Sequence, residues 1–533
     1  MTALWWQTGV IYQIYPRSFQ DTNGDGIGLK GIERRLDYLV SLGIDAIWIS
    51  PIYPSPMADF GYDVADYCGI DSRFGALDDF DELLAQAHAH GLKVLLDFVP
   101  NHTSDRHPWF VESRSSRANP QRDWYIWRDP APDGGPPNNW ISDFGGSAWE
   151  WDEATGQYYY HAFLKEQAGL NWRNPAVHAA MYDVMRFWFD RGVDGFRIDV
   201  LWHMVEAADF LDNPANPTYQ PAMGDMFRVL QLHSADQPEV HGIAADMRAI
   251  ADNYGANGRG ERLLIGEIYL PLDRLLRYYG RERAEVHLPF NFQLVDASWE
   301  ARSLATLIAN YEAALPPGGW PNWVLGNHDR PRVAAKRGQA QARVAAMLLL
   351  TLRGTPTLYY GELGLSDVAI PPAQVQDPRG LREPGLSLGR DPVRTPMPWD
   401  GSENAGFTAA TGRPWLPLNA DWPTRNVARM AEEPHSILTL YRRLLAARRA
   451  HLALSIGDFA LLDVKGDVLA YERRHGAERL IVALNLGGRS HRLELPDWVS
   501  DCRLLLSTVA DAALDGDGAL LLRADEGVIL TAD

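Results

Sequence analysis

Leu77-Asp-Asp-Phe-Asp-Glu-Leu-Leu-Ala-Gln-Ala-His-Ala-His90, then Gly91-Leu-Lys, then Val94-Leu-Leu-Asp97-Phe-Val99, is a stretch in which two periods meet. Apolar residues in 77–90 recur near the 3.6-residue period of a helix, and Gly91 follows where a helix C-terminus commonly places glycine. Residues 94–99 read as a strand rich in Val and Leu. A helix handing over to a strand within a few residues is one unit of an alternating α/β fold.

The alternation extends in both directions. Strand-like runs occupy 10–15, 46–50, 94–99, 195–200, 263–268, 290–294, 323–325 and 355–360, and a second helical stretch, 29–42, also closes on a glycine, Gly43. Eight strands separated by helices predict a parallel (β/α)₈ TIM barrel. About ninety residues separate the third run from the fourth, too many for a structureless loop, so an inserted subdomain is expected there. An irregular insert rich in Pro, Gly and Arg covers 367–417, after the eighth run. From about residue 454 short alternating segments predict a C-terminal antiparallel β-sandwich. The expected organisation is therefore barrel 1–100, inserted subdomain 101–172, barrel 173–453 and β-sandwich domain 454–533.

The chain has 533 residues, 46% of them hydrophobic, and a formal net charge of −19. That charge argues against nucleic acid or anionic lipid as partners. The two cysteines, Cys68 and Cys502, cannot build a disulfide framework. No secretory signal or membrane-length apolar run occurs, so a soluble cytoplasmic protein is expected. Six of the nineteen tryptophans fall between Trp109 and Trp151. They could offer flat faces to sugar rings or form the small core of the insert.

In a (β/α)₈ barrel the active site lies at the C-terminal ends of the strands. Four such ends carry carboxylates: Asp97 in Asp97-Phe-Val-Pro-Asn-His102, Asp199 in Gly195-Phe-Arg-Ile-Asp199, Glu267 in Gly266-Glu-Ile, and Asp329 in Asn327-His-Asp329. His102, Arg197 and His328 accompany them. Singly, Asp97 could cap a loop, His102 could be a core histidine, and Arg197 with Asp199 could be a structural ion pair. Together, converging carboxylates at four strand ends suit glycoside hydrolysis, in which one carboxylate attacks the anomeric carbon and another protonates the leaving oxygen. Three rival patterns lack their context. HExxH is absent, and His88 and His90 point in different directions on a helix. Gly26-Ile-Gly-Leu-Lys-Gly31 does not directly follow its strand. Gly385-Leu-Ser-Leu-Gly389 sits in the irregular insert, without strand or helix.

The segment Asp21-Thr-Asn-Gly-Asp-Gly-Ile27 resembles a calcium loop, with oxygen donors at Asp21, Asn23 and Asp25 and a carbonyl at Ile27. Ile32 stands where a calcium sensor needs its bidentate Glu, so a regulatory role is not expected and a bare turn remains the alternative.

These motifs, with Gly9-Val-Ile-Tyr-Gln-Ile-Tyr-Pro-Arg-Ser-Phe19, Gly61-Tyr-Asp63, His161-Ala-Phe163 and Arg394-Thr-Pro-Met-Pro-Trp399, resemble the α-glucosidase and oligo-1,6-glucosidase branch of the α-amylase superfamily, glycoside hydrolase family 13. The resemblance implies a retaining, exo-acting α-glucosidase that releases or transfers glucose from short α-glucosides such as maltose. Asp199 would be the nucleophile, Glu267 the general acid and base, and Asp329 the carboxylate that holds the bent substrate. Arg197 would orient Asp199, and His102 and His328 would bond sugar hydroxyls. Tyr62 would stack on the ring, Asp63 and Arg394 would close the pocket, and Phe163 and Gln167 would line its entrance. It also implies a structural Ca²⁺ or Mg²⁺ on Asp21, Asn23, Asp25 and Ile27, no catalytic cofactor, small α-glucosides and hydroxyl acceptors as partners, and a monomer or homodimer.

The chain departs from the family pattern at Gly28-Leu29, at Tyr360-Gly-Glu362 and at Ala168-Gly169, each lacking an expected Asp. A sucrose, trehalose or maltose isomerase or glucosyltransferase would use the same residues. A non-catalytic scaffold with this barrel would have lost its carboxylates, whereas all three are present. Linkage preference stays open, with Val200 at the position that varies in the branch.

Overall fold

The computed structural model describes residues 3–22, 28–462, 464–494, 499, 502–510 and 519–532. Eight strands form one parallel sheet: β1 (Ile11–Ile14), β2 (Ala46–Ile49), β3 (Lys93–Phe98), β4 (Gly195–Ile198), β5 (Leu263–Gly266), β6 (Leu288–Pro289), β7 (Asn322–Val324) and β8 (Thr355–Tyr359). Their order is β6-β5-β4-β3-β2-β1-β8-β7. The two outer strands meet through Asn291, whose amide donates to the Asn322 carbonyl at 3.1 Å, so the sheet curls into a near-closed barrel. Strands flanked by helices are buried on both faces, which is why they read as nearly unbroken apolar runs.

The sixth strand was expected at 290–294 but spans Leu288–Pro289. Pro289 has no amide to donate, and beyond it the Asn291 side chain accepts from the Gln293 amide at 3.0 Å. The chain therefore turns into the short helix Gln293–Asp296 instead of extending. The helix expected over 29–42 is broken at Arg35 into Leu29–Arg34 and Leu36–Leu42, and elsewhere local chemistry sets the boundaries. The helix Pro175–Arg191 starts with Asn174 accepting from the Ala176 amide and Pro175 in its first turn, and ends at Gly192 with φ 108°.

Between β3 and β4 lies a small subdomain with a three-stranded antiparallel sheet, order Trp127–Arg128, Gln157–Tyr160, Trp149–Asp152. Its tryptophans mainly make a core. Trp127, Trp140 and Trp149 are buried. Trp127 stacks on Phe110, and Trp140 on Trp149, at centroid distances of 5.7 and 5.9 Å. Segment His102–Ser104 pairs with Gln167–Gly169, tying the subdomain to the end of β3. A Cβ on Gly169 would lie 2.8 Å from Tyr160 Cδ1, so this departure from the family pattern serves close packing.

The C-terminal region is a five-stranded antiparallel sheet of β9 (Asp458–Leu461), β10 (Val468–His475), β11 (Glu478–Asn485), β12 (Cys502–Ser507) and β13 (Gly527–Ala532), ordered β9-β10-β11-β13-β12. One face, with Val468, Ala470, Ile481 and Leu530, packs on Leu522 of a two-stranded ribbon. The other, with Leu469, Tyr471, Leu480, Val482 and Ile529, joins the main core of the barrel. Residues alternate between these faces along each strand. Among the described residues no helix is long and apolar enough to cross a membrane.

Candidate active site

The side chains of interest stand at the C-terminal ends of the barrel strands. The Asp199 amide donates to the Phe98 carbonyl at 2.7 Å and the Glu267 amide to the Ile198 carbonyl at 3.0 Å, so sheet bonding itself aligns the ends of β3, β4 and β5. Arg197 sits among them, buried. Its Nη1 lies 2.7 Å from Asp97 and 2.6 Å from Asp199, and its Nη2 2.7 Å from Glu267. Glu267 Oε2 also accepts from the Val200 amide at 2.9 Å. That amide is aimed by an unusual backbone, since Val200 adopts a left-handed φ of 37°, strained for a β-branched residue.

Three carboxyl groups share one cation away from water, and their proton affinities reflect it. Burial pushes Asp97 up to about 6, with Arg197 opposing. Burial raises Asp199 to about 7, again against Arg197, with the nearby Asp97 charge adding to the rise. Glu267 is raised furthest, to about 8, by burial and then by the negative charges of Asp199 and Asp329. Asp97 is further fixed by Trp48 Nε1 and the Tyr62 hydroxyl, both donating at 3.1 Å.

Across the pocket Asp329 has a different setting. Arg394 Nη2 lies 2.8 Å from its Oδ1, Arg390 Nη1 3.4 Å away, and His328 Nε2 3.2 Å from its Oδ2. Burial would raise its pKa, but His328, Arg390 and Arg394 hold it well below the usual carboxylate range. The arginines are the effective cations, because burial keeps the His328 imidazole neutral. His328 is itself held by Gln13 Nε2 at 2.8 Å and the Tyr62 hydroxyl at 2.9 Å.

His102 closes another side. The Gln167 amide oxygen accepts from the Leu164 amide at 3.0 Å, so its NH₂ faces His102 Nε2, also at 3.0 Å. The imidazole, held neutral by burial at about 4, lies 2.9 Å from Asn101 Oδ1 through Nδ1 and 2.9 Å from the Tyr62 carbonyl through Nε2. Phe163 lies against His102 and Phe144 at centroid distances of 5.3 and 5.8 Å.

One expected residue is displaced. Asp63 does not reach the pocket edge: it is buried and spends both carboxylate oxygens on the amides of Ala58 and Asp59, at 2.8 and 3.0 Å. The carboxylate it positions, Asp59, is the one that meets Arg390 Nη2 at 2.5 Å. Arg390 also pairs with Asp377 at 2.7 Å. Asp59, Asp377 and Arg390 were missed by sequence reasoning, because the second and third lie in the irregular insert and the first is four positions from a more conspicuous Asp. Of the loop residues assigned to metal, Asn23, Asp25 and Ile27 lie outside the described residues. Asp21 is buried, its amide donating to Phe407 at 2.9 Å and its carboxylate accepting from the Thr408 hydroxyl.

The model of the α-amylase catalytic domain matches residues 13–457. An oligo-1,6-glucosidase from Heyndrickxia coagulans is 41% identical, covering 95% of this chain and 96% of its own length. The crystal structure of the α-glucosyl transfer enzyme XgtA aligns over 100% of both chains, at 40% identity and a TM-score of 0.93. The trehalulose synthase MutB from Pseudomonas mesoacidophila MX-45 likewise aligns over 100% of both chains, at 35% identity and a TM-score of 0.90.

Proposed function

Because the chain belongs to the α-amylase family, glycoside hydrolase family 13, and is a glycoside hydrolase of its α-glucosidase type, we propose that it acts as a retaining, exo-acting α-glucosidase on short α-glucosides such as maltose. Asp199 attacks the anomeric carbon to form a covalent glucosyl-enzyme while Glu267 protonates the departing glycosidic oxygen. Glu267 then takes the proton of a water or an acceptor hydroxyl, which attacks the same carbon and releases Asp199.

The observation that carries this reading is the placement of Asp199 and Glu267 on the two amino groups of one buried guanidinium, Arg197. Glu267, at about 8, retains its proton at neutral pH. With Oε2 committed to Val200 and Arg197, the proton belongs on Oε1, where a leaving oxygen can take it. A single guanidinium bridging Asp199 and Glu267 favours the close pair of a retaining enzyme over the wider pair that leaves room for a water. The Asp59–Arg390–Asp329 chain walls the pocket, which suits removal of one terminal glucose at a time. The acidic loop at Asp21 offers the oxygen donors a hard cation prefers, and we assign it a structural Ca²⁺ or Mg²⁺ remote from the chemistry.

A second reading, transfer or rearrangement in place of hydrolysis, is favoured by Tyr269 and Phe292. Their rings stack at 4.0 Å beside Glu267, an aromatic wall that could hold a leaving sugar and restrict water. Time-resolved NMR with maltose, isomaltose and sucrose, with and without an alcohol acceptor, tests both. α-Glucose or an α-glucoside of the alcohol as first product supports the glucosidase, and a rearranged disaccharide supports the second reading. β-Glucose as first product overturns retention.

A further inference from the structure

The rim of the pocket holds a guanidinium that forms no ion pair among the described residues. Arg379 lies in the short helix Pro378–Arg382, two residues beyond Asp377. Among the described residues it forms no ion pair: Nη2 reaches the Met226 sulfur at 3.7 Å, and Nε has no acceptor. The carboxylates around it each bond another group, although Glu383 Oε2 has no partner among the described residues. Asp377 is taken by Arg390 at 2.7 Å, Glu383 accepts from the Asp225 amide at 2.7 Å, and Asp143 accepts from Gln231 at 2.7 Å. A second cation, Arg330, directly follows Asp329 and sits over the Tyr269 ring at 5.0 Å, its closest carboxylate oxygen 3.9 Å away on Asp296.

The position adjoins the pocket wall, since the charges of Arg390 and Arg330 both act on Arg379. Met226 belongs to the loop after β4, and Arg382, in the same helix, donates to the Gly145 carbonyl of the inserted subdomain at 2.7 Å. Three segments thus meet at this helix. A guanidinium cannot shed its proton, and enclosing it without a directly paired carboxylate is costly. Burial, and after it the charge of Arg390, lowers the Arg379 pKa against the opposing charges of Asp143 and Glu383. A chain of net charge −19 repels anions over most of its surface, so a local cation is what an anionic ligand would require.

We infer that this rim binds an oxyanion, carboxylate or phosphate, carried by the aglycone that leaves or the alcohol that accepts, with Arg379 as its docking group and Arg330 as a second cation. The guanidinium fork matches either group through charge-assisted bonds. The inference rests on the glucosidase reading of the same pocket. The preferred substrates are then α-glucosides of acidic alcohols or sugar acids rather than neutral disaccharides.

The test compares three donors of one linkage: maltose, maltobionate, and maltose with a 6-phosphate on its reducing ring. The readout is the ratio of kcat/KM for each anionic donor to that for maltose, at low and high salt. For the unaltered enzyme at least one ratio is expected at about tenfold or more, falling with salt, and the larger ratio names the oxyanion. Arg379→Gln should bring that ratio to about one, while Arg379→Lys, which keeps the charge, retains part of it. Arg330→Gln supplies an independent decrease should the Arg379 variants fail to fold. Ratios at or below one in the unaltered enzyme, or a ratio unmoved by Arg379→Gln, overturn the inference and leave the glucosidase reading standing. No turnover of maltose, isomaltose or any anionic donor overturns both.

Discussion

Arg390 meets Asp59 at 2.5 Å across 331 positions of sequence, joining the insert after β8 to the loop after β2 at the wall of the pocket. The same guanidinium touches Asp377 and Asp329, so one side chain organises three carboxylates.

Replacing it therefore strands buried negative charge. Arg390→Met is expected to lower kcat/KM by at least about a hundredfold and to cost roughly 3–5 kcal/mol of stability, the usual range when one partner of a buried pair is removed. Kinetics with maltose and urea unfolding would check this. Activity within threefold and an unchanged midpoint would refute the role.

Asp199→Asn should remove nearly all turnover, by about 10⁴-fold or more, with an unaltered circular dichroism spectrum. Glu267→Gln should spare substrates whose leaving group needs no proton. The ratio of kcat/KM for 4-nitrophenyl α-glucoside to that for maltose is then expected to rise by about a hundredfold or more, since general acid assistance typically contributes 10²–10⁴-fold. Equal losses on both substrates would remove Glu267 from the acid role.

Glu267 also links pH to stability. Its pKa is raised by burial from 4.5 to about 8, so the protonated form is favoured in the fold. Stability from this group is complete below about 4.5 and is lost as pH climbs to about 8. Glu267→Gln, which cannot ionise, should gain on the unaltered enzyme by a few kcal/mol between pH 5 and pH 8. Activity should fall in the same alkaline range as the acid loses its proton. A difference in melting temperature that stays constant with pH would contradict the assignment.

Chelation bears on the loop that begins at Asp21. EDTA is expected to lower the melting temperature by several degrees while leaving activity at moderate temperature nearly intact, and added Ca²⁺ or Mg²⁺ should restore it. Identical melting in chelator would reduce the loop to a turn.

What could be read from the chain alone follows from where each signal resides. The barrel was legible because β2 and β5 are continuous apolar runs, β3 and β4 nearly so, and the glycines that end helices are local features. Asp199 and Glu267 were legible because each follows its strand directly, and Asp329 because it lies in the Asn327-His-Asp329 motif shortly after β7. Asp59 and Arg390 were not, since their partnership depends on how a loop and an irregular insert meet, and nothing in either segment has a period. The sixth strand was misplaced by two residues for a similar reason: the Asn291 side chain, not an apolar pattern, turns the chain. The tryptophans of the insert kept two meanings until burial of Trp127, Trp140 and Trp149 decided for a core.

The contact at Asn291 and Asn322 gives the barrel a clasp. Seven neighbouring strand pairs are laddered, while β6 and β7 meet chiefly through that single backbone bond. A hoop with one weak link opens there first, because local unfolding starts where the fewest bonds must break. β5 delivers Glu267 on one side of the link and β7 leads to Asp329 on the other, so parting the clasp separates the acid from its opposing carboxylate. Heat should silence the enzyme before it melts the helices, and the amide of Asn291 should be among the first of the barrel to exchange its proton with water.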